Sequence, residues 1–334
     1  MRKRSSNRPA RLMAAVMALL LAGIACTANR ATSPRPAPTP APPGQWNDYA
    51  LDKGWISVSV GVPRHGTPPY PVVLSPTVPD HLLLERGIGV VRWKTNWEIL
   101  RGLTPTSAPS PQTQTETETQ TQTETQTETE TETVGAWLLR APRPGIVGQG
   151  YFRVIKHEAH QSVPKVLDLL ESLPSVDSQR MAITGNSTGG FIALQALAEE
   201  PRLDVAVIQV ACGDYLKFLK SSSLALGDQD RWLVDGEVVL DDEYMLELAA
   251  SDPIHRTNTY PPRPLLLISG AQDPVIPPAC VRATAEAISA TYEKSGVPDR
   301  FEWEELAAQG HALESTTTER VLNFLDHWLH PQPK

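Results

Sequence analysis

Gly185-Asn186-Ser187-Thr188-Gly189-Gly190 limits what this chain can fold into more tightly than any other stretch. Arg180-Met181-Ala182-Ile183-Thr184 before it is a short apolar run of the kind that forms a buried strand, and Phe191 to Leu197 after it favours a helix. A strand that turns at once into a helix crowds its own backbone. Small residues are therefore needed two before and two after the apex, where Gly185 and Gly189 stand. Such a turn holds the Ser187 hydroxyl clear of its neighbours, near a helix N-terminus whose free N–H groups favour developing negative charge.

Strand, glycine-flanked serine and helix together resemble the nucleophile elbow of the α/β-hydrolase superfamily. The resemblance implies an α/β fold: a mostly parallel central sheet flanked by helices, with Ser187 as nucleophile. A serine hydroxyl is weakly nucleophilic at neutral pH, so it needs a base, and the base needs an orienting acid. In the superfamily these follow in the order serine, acid, histidine. Pro264 to Gly270 is an apolar run ending in glycine, and Asp273 lies in the loop beyond it, where open α/β sheets carry their sites. Phe301 to Leu306 alternates apolar and acidic like an edge strand, and Gly310-His311 follows at the superfamily's usual histidine position. The expected triad is thus Ser187, Asp273 and His311. Asp214, after the apolar run Asp204 to Val210, is the alternative acid, because some members of the fold keep it there; its other reading is a helix cap.

Acyl transfer also needs donors for the oxyanion. One would be the N–H of Thr188, immediately after the nucleophile. The other usually follows the strand read here at Val72 to Leu74, often in a His-Gly pair. This chain has Ser75-Pro76-Thr77-Val78 there, and Pro76 has no N–H to give. Thr77 is the expected substitute, with Val78 beside it.

Other segments fill in the fold. Trp55 to Val60 alternates with period two, Pro71 to Leu74 is a short strand, and Gly87 to Trp93 is another. Between the last two, Leu82-Leu83-Leu84-Glu85-Arg86-Gly87 resembles the superfamily's first helix. Tyr151 to Ser172 carries Val163, Val166, Leu167 and Leu170 at helical spacing and reads as one helix. His157 and His160 lie three apart on it, as two metal ligands or a polar surface would, with no third ligand evident. Residues 215–260 form an insertion containing Trp232, Tyr244 and Met245, which the resemblance implies is a lid over the site. Ser315 to Trp328 is an amphipathic closing helix.

Outside this domain, expected at 46–330, the chain changes character. Five basic residues from Arg2 to Arg11 precede an uncharged apolar run, Leu12 to Ala25, too short to span a membrane comfortably. Residues 1–28 therefore read as an export signal. Leu21 to Cys26 resembles a bacterial lipoprotein cleavage site, except that Gly23 stands where an aliphatic residue is usual. Cys26 is the expected lipidation point and the expected contact with a membrane; ordinary cleavage after Ala28 is the alternative. Residues 29–45 are Pro-rich and describe an extended linker. Within 104–133, threonine occupies every odd position from Thr113 to Thr133 with Gln or Glu between, so no apolar face exists to bury and a disordered insertion is expected.

Charge bears on partners. The formal net charge is −8, and without the five basic leader residues it becomes −13; setting aside the six glutamates of the threonine-rich insertion leaves −7. No basic patch of the kind nucleic acid requires is present. Export permits a disulfide between Cys212 and Cys280, which follow strands expected to be neighbours; two buried thiols are equally compatible.

The resemblance extends to the branch holding prolyl-oligopeptidase-like and dienelactone-hydrolase-like enzymes, whose elbow Gly-Asn-Ser-Thr-Gly-Gly suits. It implies an exported serine hydrolase acting on a small carboxylic ester through an acyl-enzyme, with no metal or other cofactor. Peptide cleavage is the lesser enzymatic expectation, since no propeller segment accompanies the domain. A non-catalytic binding or surface lipoprotein of the same fold is the competing class, favoured by Pro76.

Overall fold

A computed structural model describes residues 44–95, 146–224, 233–234, 237–238, 242–313 and 316–330. The expected export signal, Cys26, nearly all of the linker, the threonine-rich insertion and Trp232 lie outside the described residues.

The strands of the main sheet are β1 (Gly44–Leu51), β2 (Ile56–Pro63), β3 (Tyr70–Leu74), β4 (Gly89–Thr95), β5 (Val176–Asn186), β6 (Val205–Gln209), β9 (Leu265–Gly270) and β10 (Phe301–Leu306). Their order is β1-β2-β4-β3-β5-β6-β9-β10. Pairing is antiparallel at β1/β2 and β2/β4 and parallel from β4 onward. A two-stranded ribbon, β7 (Leu233–Val234) with β8 (Glu237–Val238), stands apart within the 215–260 insertion. The first described strand, β1, opens at Gly44, two residues before Trp46.

Period-two alternation decides the layers. Val72, Leu74, Met181, Ile183, Ala206, Ile208, Leu265 and Leu267 face one core, while Val73, Ala182, Val205, Val207, Leu266 and Ile268 face the other. The second face is covered by α1 (Asp80–Glu85) through Leu83 and Leu84, and by α8 (Thr316–Leu329) through Val321, Leu322, Phe324 and Leu325. The first is covered by α2 (Ile146–His157), α3 (Val163–Ser172), α4 (Thr188–Glu199) and α7 (Pro278–Lys294). This is the three-layer architecture of the α/β hydrolases. Phe191, Leu194 and Leu197 of α4 are fully buried. Each such side chain contributes roughly 2 kcal/mol by leaving water, which anchors the helix whose N-terminus carries Ser187.

The helix expected over Tyr151 to Ser172 is interrupted. Residues Glu158–Ser162 form a π turn in which the Val163 N–H donates to the Glu158 carbonyl. Pro164, at the start of α3, has no N–H to return to the preceding turn, so the ladder slips by one residue there. The insertion after β6 contributes α5 (Tyr215–Ser221) and α6 (Asp242–Ser251).

Candidate active site

β5 is central in the sheet, between β3 and β6, and ends at the serine. Ser187 has φ 54° and ψ −120°, a left-handed conformation that a side chain adopts only when its surroundings force it. Its N–H donates to the Gln209 carbonyl at 3.0 Å, and its own carbonyl accepts from the Phe191 N–H at 3.1 Å, which starts α4. The crowding falls on Gly185, as expected, but not on Gly189. A Cβ on Gly185 would sit 2.0 Å from the Gly189 carbonyl oxygen, but one on Gly189 would meet nothing within 4 Å. The second restricted position is Gly190, whose Cβ would lie 2.7 Å from that of Ala211 and 3.0 Å from the Gln209 carbonyl oxygen. The elbow is pressed against the neighbouring strand end as much as against itself.

Two further strand ends bring the partners. The Asp273 carboxylate is held from both sides. Its Oδ1 accepts from the N–H groups of Val275 and Ile276 at 2.8 and 2.9 Å, and its Oδ2 faces His311 Nδ1 at 2.9 Å. Its side chain is 1% exposed. His311 arrives from the loop after β10, which lies on the end of β9. The Gln272 N–H donates to the Gln309 carbonyl at 2.9 Å, and a Cβ on Gly270 would lie 2.4 Å from the Gly310 carbonyl oxygen. His311 Nε2 is 3.0 Å from Ser187 Oγ. With Nδ1–H donating to the carboxylate, Nε2 is left as acceptor for the serine hydroxyl. That tautomer is the one a general base requires.

Asp214 is not brought into this cluster. It caps α5, accepting from the Lys217 N–H at 2.9 Å and pairing with Lys217 Nζ at 3.2 Å. Cys212 and Cys280 form a disulfide, with Cα atoms 5.8 Å apart. It ties the segment after β6 to the first turn of α7, just beyond the loop that carries Asp273.

Thr188 opens α4, so its N–H belongs to the unpaired first turn beside the nucleophile. The Thr77 N–H is differently placed: it donates to Thr184 Oγ1 at 3.1 Å. As an open main-chain donor Thr77 therefore does not meet the expectation, because the hydroxyl three residues before the nucleophile already occupies its amide. Thr184 in turn donates to the Ser75 carbonyl at 2.8 Å. Ser75 sits at φ 52° and its N–H donates to the Val91 carbonyl at 2.8 Å. The loop after β3 is thus stitched to β4 and β5.

Sequence reasoning did not single out Thr184, whose only signal was a hydroxyl ending an apolar run. Tyr151 was also missed as a neighbour of the site. Its hydroxyl lies 3.2 Å from Thr188 Oγ1, and its ring stacks on Phe218 of the insertion. Burial raises the pKa of this phenol above its ordinary value, so it stays protonated. His160, read as a candidate ligand, is occupied otherwise: Gln195 Nε2 donates to its Nε2 at 2.9 Å, and its Nδ1 donates to Glu199. Burial, then Lys156 and Arg256, lower its pKa to about 4, so the ring is neutral. No three His, Cys, Asp or Glu side chains gather as a metal site would among the described residues.

A family model described as the prolyl oligopeptidase family matches residues 152–332, which span α3 to α8 and all three clustered side chains. No curated protein matches. Solved structures share the fold. TT1662 from Thermus thermophilus is 21% identical at a TM-score of 0.53, over 86% of this chain and 99% of its own. A puromycin-hydrolyzing peptidase from Mycobacterium tuberculosis is 17% identical at 0.56, over 89% of this chain and 41% of its own. The acylaminoacyl peptidase of Pyrococcus horikoshii is 12% identical at 0.56, over 87% and 43%. This chain therefore corresponds to under half the length of either peptidase.

Proposed function

The chain belongs to the prolyl oligopeptidase family of α/β-hydrolase-fold serine hydrolases, and on that premise we propose that it cleaves carboxylic esters through an acyl-enzyme formed on Ser187. The observation that carries this reading is the continuous run from Asp273 Oδ2 through His311 to Ser187 Oγ, at 2.9 and 3.0 Å. His311 takes the hydroxyl proton as Ser187 attacks the carbonyl, then returns it to the departing alcohol. Asp273 holds the ring in the required tautomer and stabilises the imidazolium. Water then enters against the acyl-enzyme and the same steps run in reverse. The Thr188 N–H receives the negative charge that builds on the carbonyl oxygen.

Ester is preferred to amide on chemical grounds. An alkoxide leaves more readily than an amine, so an ester makes smaller demands on oxyanion stabilisation, and beyond β3 the Ser75 and Thr77 amides are engaged while Pro76 has no N–H, which leaves the Val78 N–H as the next candidate beside Thr188. The family's description and the two peptidase relatives support a second reading, cleavage of short peptides or acylated amino acids. The same engaged amide supports the third, a binding protein that keeps the fold without turnover. A fluorophosphonate probe separates enzyme from binder: labelling of the wild type that vanishes in Ser187→Ala is the expected result, and unlabelled folded wild type overturns the proposal. A panel of p-nitrophenyl esters beside peptidyl anilides then decides between ester and amide.

The same proposal places the protein outside the cytoplasm, held to a membrane by lipid on Cys26 or released by cleavage after Ala28. Incorporation of labelled palmitate that is lost in Cys26→Ala would support the anchor; an unlabelled mature chain beginning after Ala28 would support release.

A further inference from the structure

We infer that Ser222, at the C-terminal end of α5, is a positioning residue that keeps the carboxylate of Asp273 in line with His311, an inference that rests on the hydrolase reading above. The N–H groups that grip Asp273 Oδ1, at 2.8 and 2.9 Å, belong to two successive peptide units, Pro274–Val275 and Val275–Ile276. Each unit has a carbonyl at its other end, and the insertion takes both. The Ser223 N–H donates to the Pro274 carbonyl at 2.8 Å, and the Ser222 hydroxyl donates to the Val275 carbonyl at 2.6 Å. Two lines of hydrogen bonds therefore run from residues 222–223 through the acid loop and end on one carboxylate oxygen. The Ser222 line extends further back, because its Oγ accepts from the Leu224 N–H at 3.2 Å.

An amide is a stiff plane, so fixing its carbonyl fixes the direction of its N–H. An aspartate that accepts from the amides two and three residues ahead makes a local turn, common in loops. Such a turn has no reference to the rest of the fold until something holds its outer edge, which is what the two serines do. Hydrogen bonds in series also polarise one another, so each N–H donates more strongly once its carbonyl is engaged. With Oδ1 held from both planes, Oδ2 is kept facing His311 Nδ1 at 2.9 Å. Ser222 is fully buried, and Asp273, Val275 and Ile276 are no more than 3% exposed, so solvent does not compete for these bonds. The anchor is itself fixed: the Ser222 N–H donates to the Phe218 carbonyl at 2.8 Å, and the Phe218 ring stacks on Tyr151, whose hydroxyl meets Thr188. One short helix thus borders the neighbours of the nucleophile and those of the acid. Ser222 makes no covalent bond and moves no proton; it acts through Asp273.

The test uses the full chain and p-nitrophenyl acetate turnover, with active sites counted by fluorophosphonate labelling. Ser222→Ala should lower kcat roughly 10- to 100-fold with KM within about twofold, the scale of a small misplacement of a catalytic group. Ser222→Thr, which keeps the donor, should stay within about fivefold of wild type. A cycle with Asp273→Ala separates positioning from support of the fold. With no carboxylate to aim, adding Ser222→Ala should change the residual rate by less than about twofold, whereas a serine that only supports the fold would cost the same factor in both backgrounds. A folded alanine variant with kcat within about threefold of wild type, or a loss that persists undiminished without the carboxylate, overturns the inference and leaves the Ser187 chemistry standing. An alanine variant that cannot be purified folded overturns it too, since Ser222 would then hold the fold and not the acid. A wild type that neither turns over the ester nor takes the probe overturns the hydrolase reading itself.

Discussion

β6 and β9 pair side by side, and each is followed within a few residues by an aspartate, yet the two carboxylates have opposite fates. Beyond β9 the chain turns tightly. Two successive N–H groups lock one oxygen of Asp273, the other points at His311, and the side chain is 1% exposed. Beyond β6 the chain enters an insertion. Asp214 becomes the cap of its first helix, 17% exposed and paired with Lys217. A second carboxyl, Asp252, lies beside it, buried and accepting from the Tyr215 N–H at 2.9 Å. One strand end is built to aim a charge, the other to start a helix. Residue type and distance from a strand end are therefore insufficient to assign the acid; what its oxygens already hold decides.

The contrast breaks most decisively on the acids themselves. Asp273→Asn should lower kcat by about 10⁴-fold, since asparagine cannot hold His311 in its working tautomer. Asp214→Asn should leave esterase kcat within about threefold. The reverse outcome in the p-nitrophenyl ester assay would transfer the acid to the β6 end.

The link between the two ends comes next. Cys212–Cys280 closes a span of 68 residues, and replacing both cysteines by alanine should cost about 4 kcal/mol in urea unfolding. Because α7 follows the Asp273 loop, kcat should drop as well; full activity in the double variant would mean that the loop's own hydrogen bonds suffice to hold Asp273.

A smaller effect tests the β6 end alone. Burial, opposed by its N–H donors and reinforced by Asp214, raises the pKa of Asp252 to about 8. A carboxyl with a raised folded pKa binds its proton more tightly in the native state. Its stabilising contribution is complete below the unfolded value and is lost as pH rises toward 8. Wild-type stability should therefore decline from pH 5 to pH 8, and the stability difference from Asp252→Asn should shift in the variant's favour by about 3 kcal/mol over that window. A difference independent of pH would show that Asp252 is ionised throughout.

The smallest effect concerns the cap. Asp214→Ala should destabilise the fold by about 1 kcal/mol, the ordinary worth of an N-cap, without altering the pH dependence of turnover. A loss several times larger would mean that the β6 end supports the site more directly than its hydrogen bonds suggest.

Much of this was legible along the chain because it depends on near neighbours. Unbroken apolar runs at Val72 to Leu74, Met181 to Ile183 and Leu265 to Ile268 mark two-sided burial, and strand, glycine, serine, glycine, helix marks the elbow. Asp273 and His311 could be singled out because each lies in the loop just past an apolar or alternating run. Interruptions were harder. Pro164 signals trouble in a helix, but that the chain answers with a π turn and not a break depends on packing against α4. The glycine that matters after the serine was misjudged as Gly189 because Gly190 is restricted by Ala211 and Gln209, residues from another strand.

Local order thus specified the strands, the elbow and the chain order of Ser187, Asp273 and His311, since period and turn geometry act over a few residues. Long-range register did the rest. It joined Cys212 to Cys280, closed the Thr77 amide with the Thr184 hydroxyl and left the Thr77 hydroxyl without a partner among the described residues. A hydrogen bond has reach of only about 3 Å. Which groups come within it is settled by how neighbouring strands align, a property of the assembled sheet that no single segment carries.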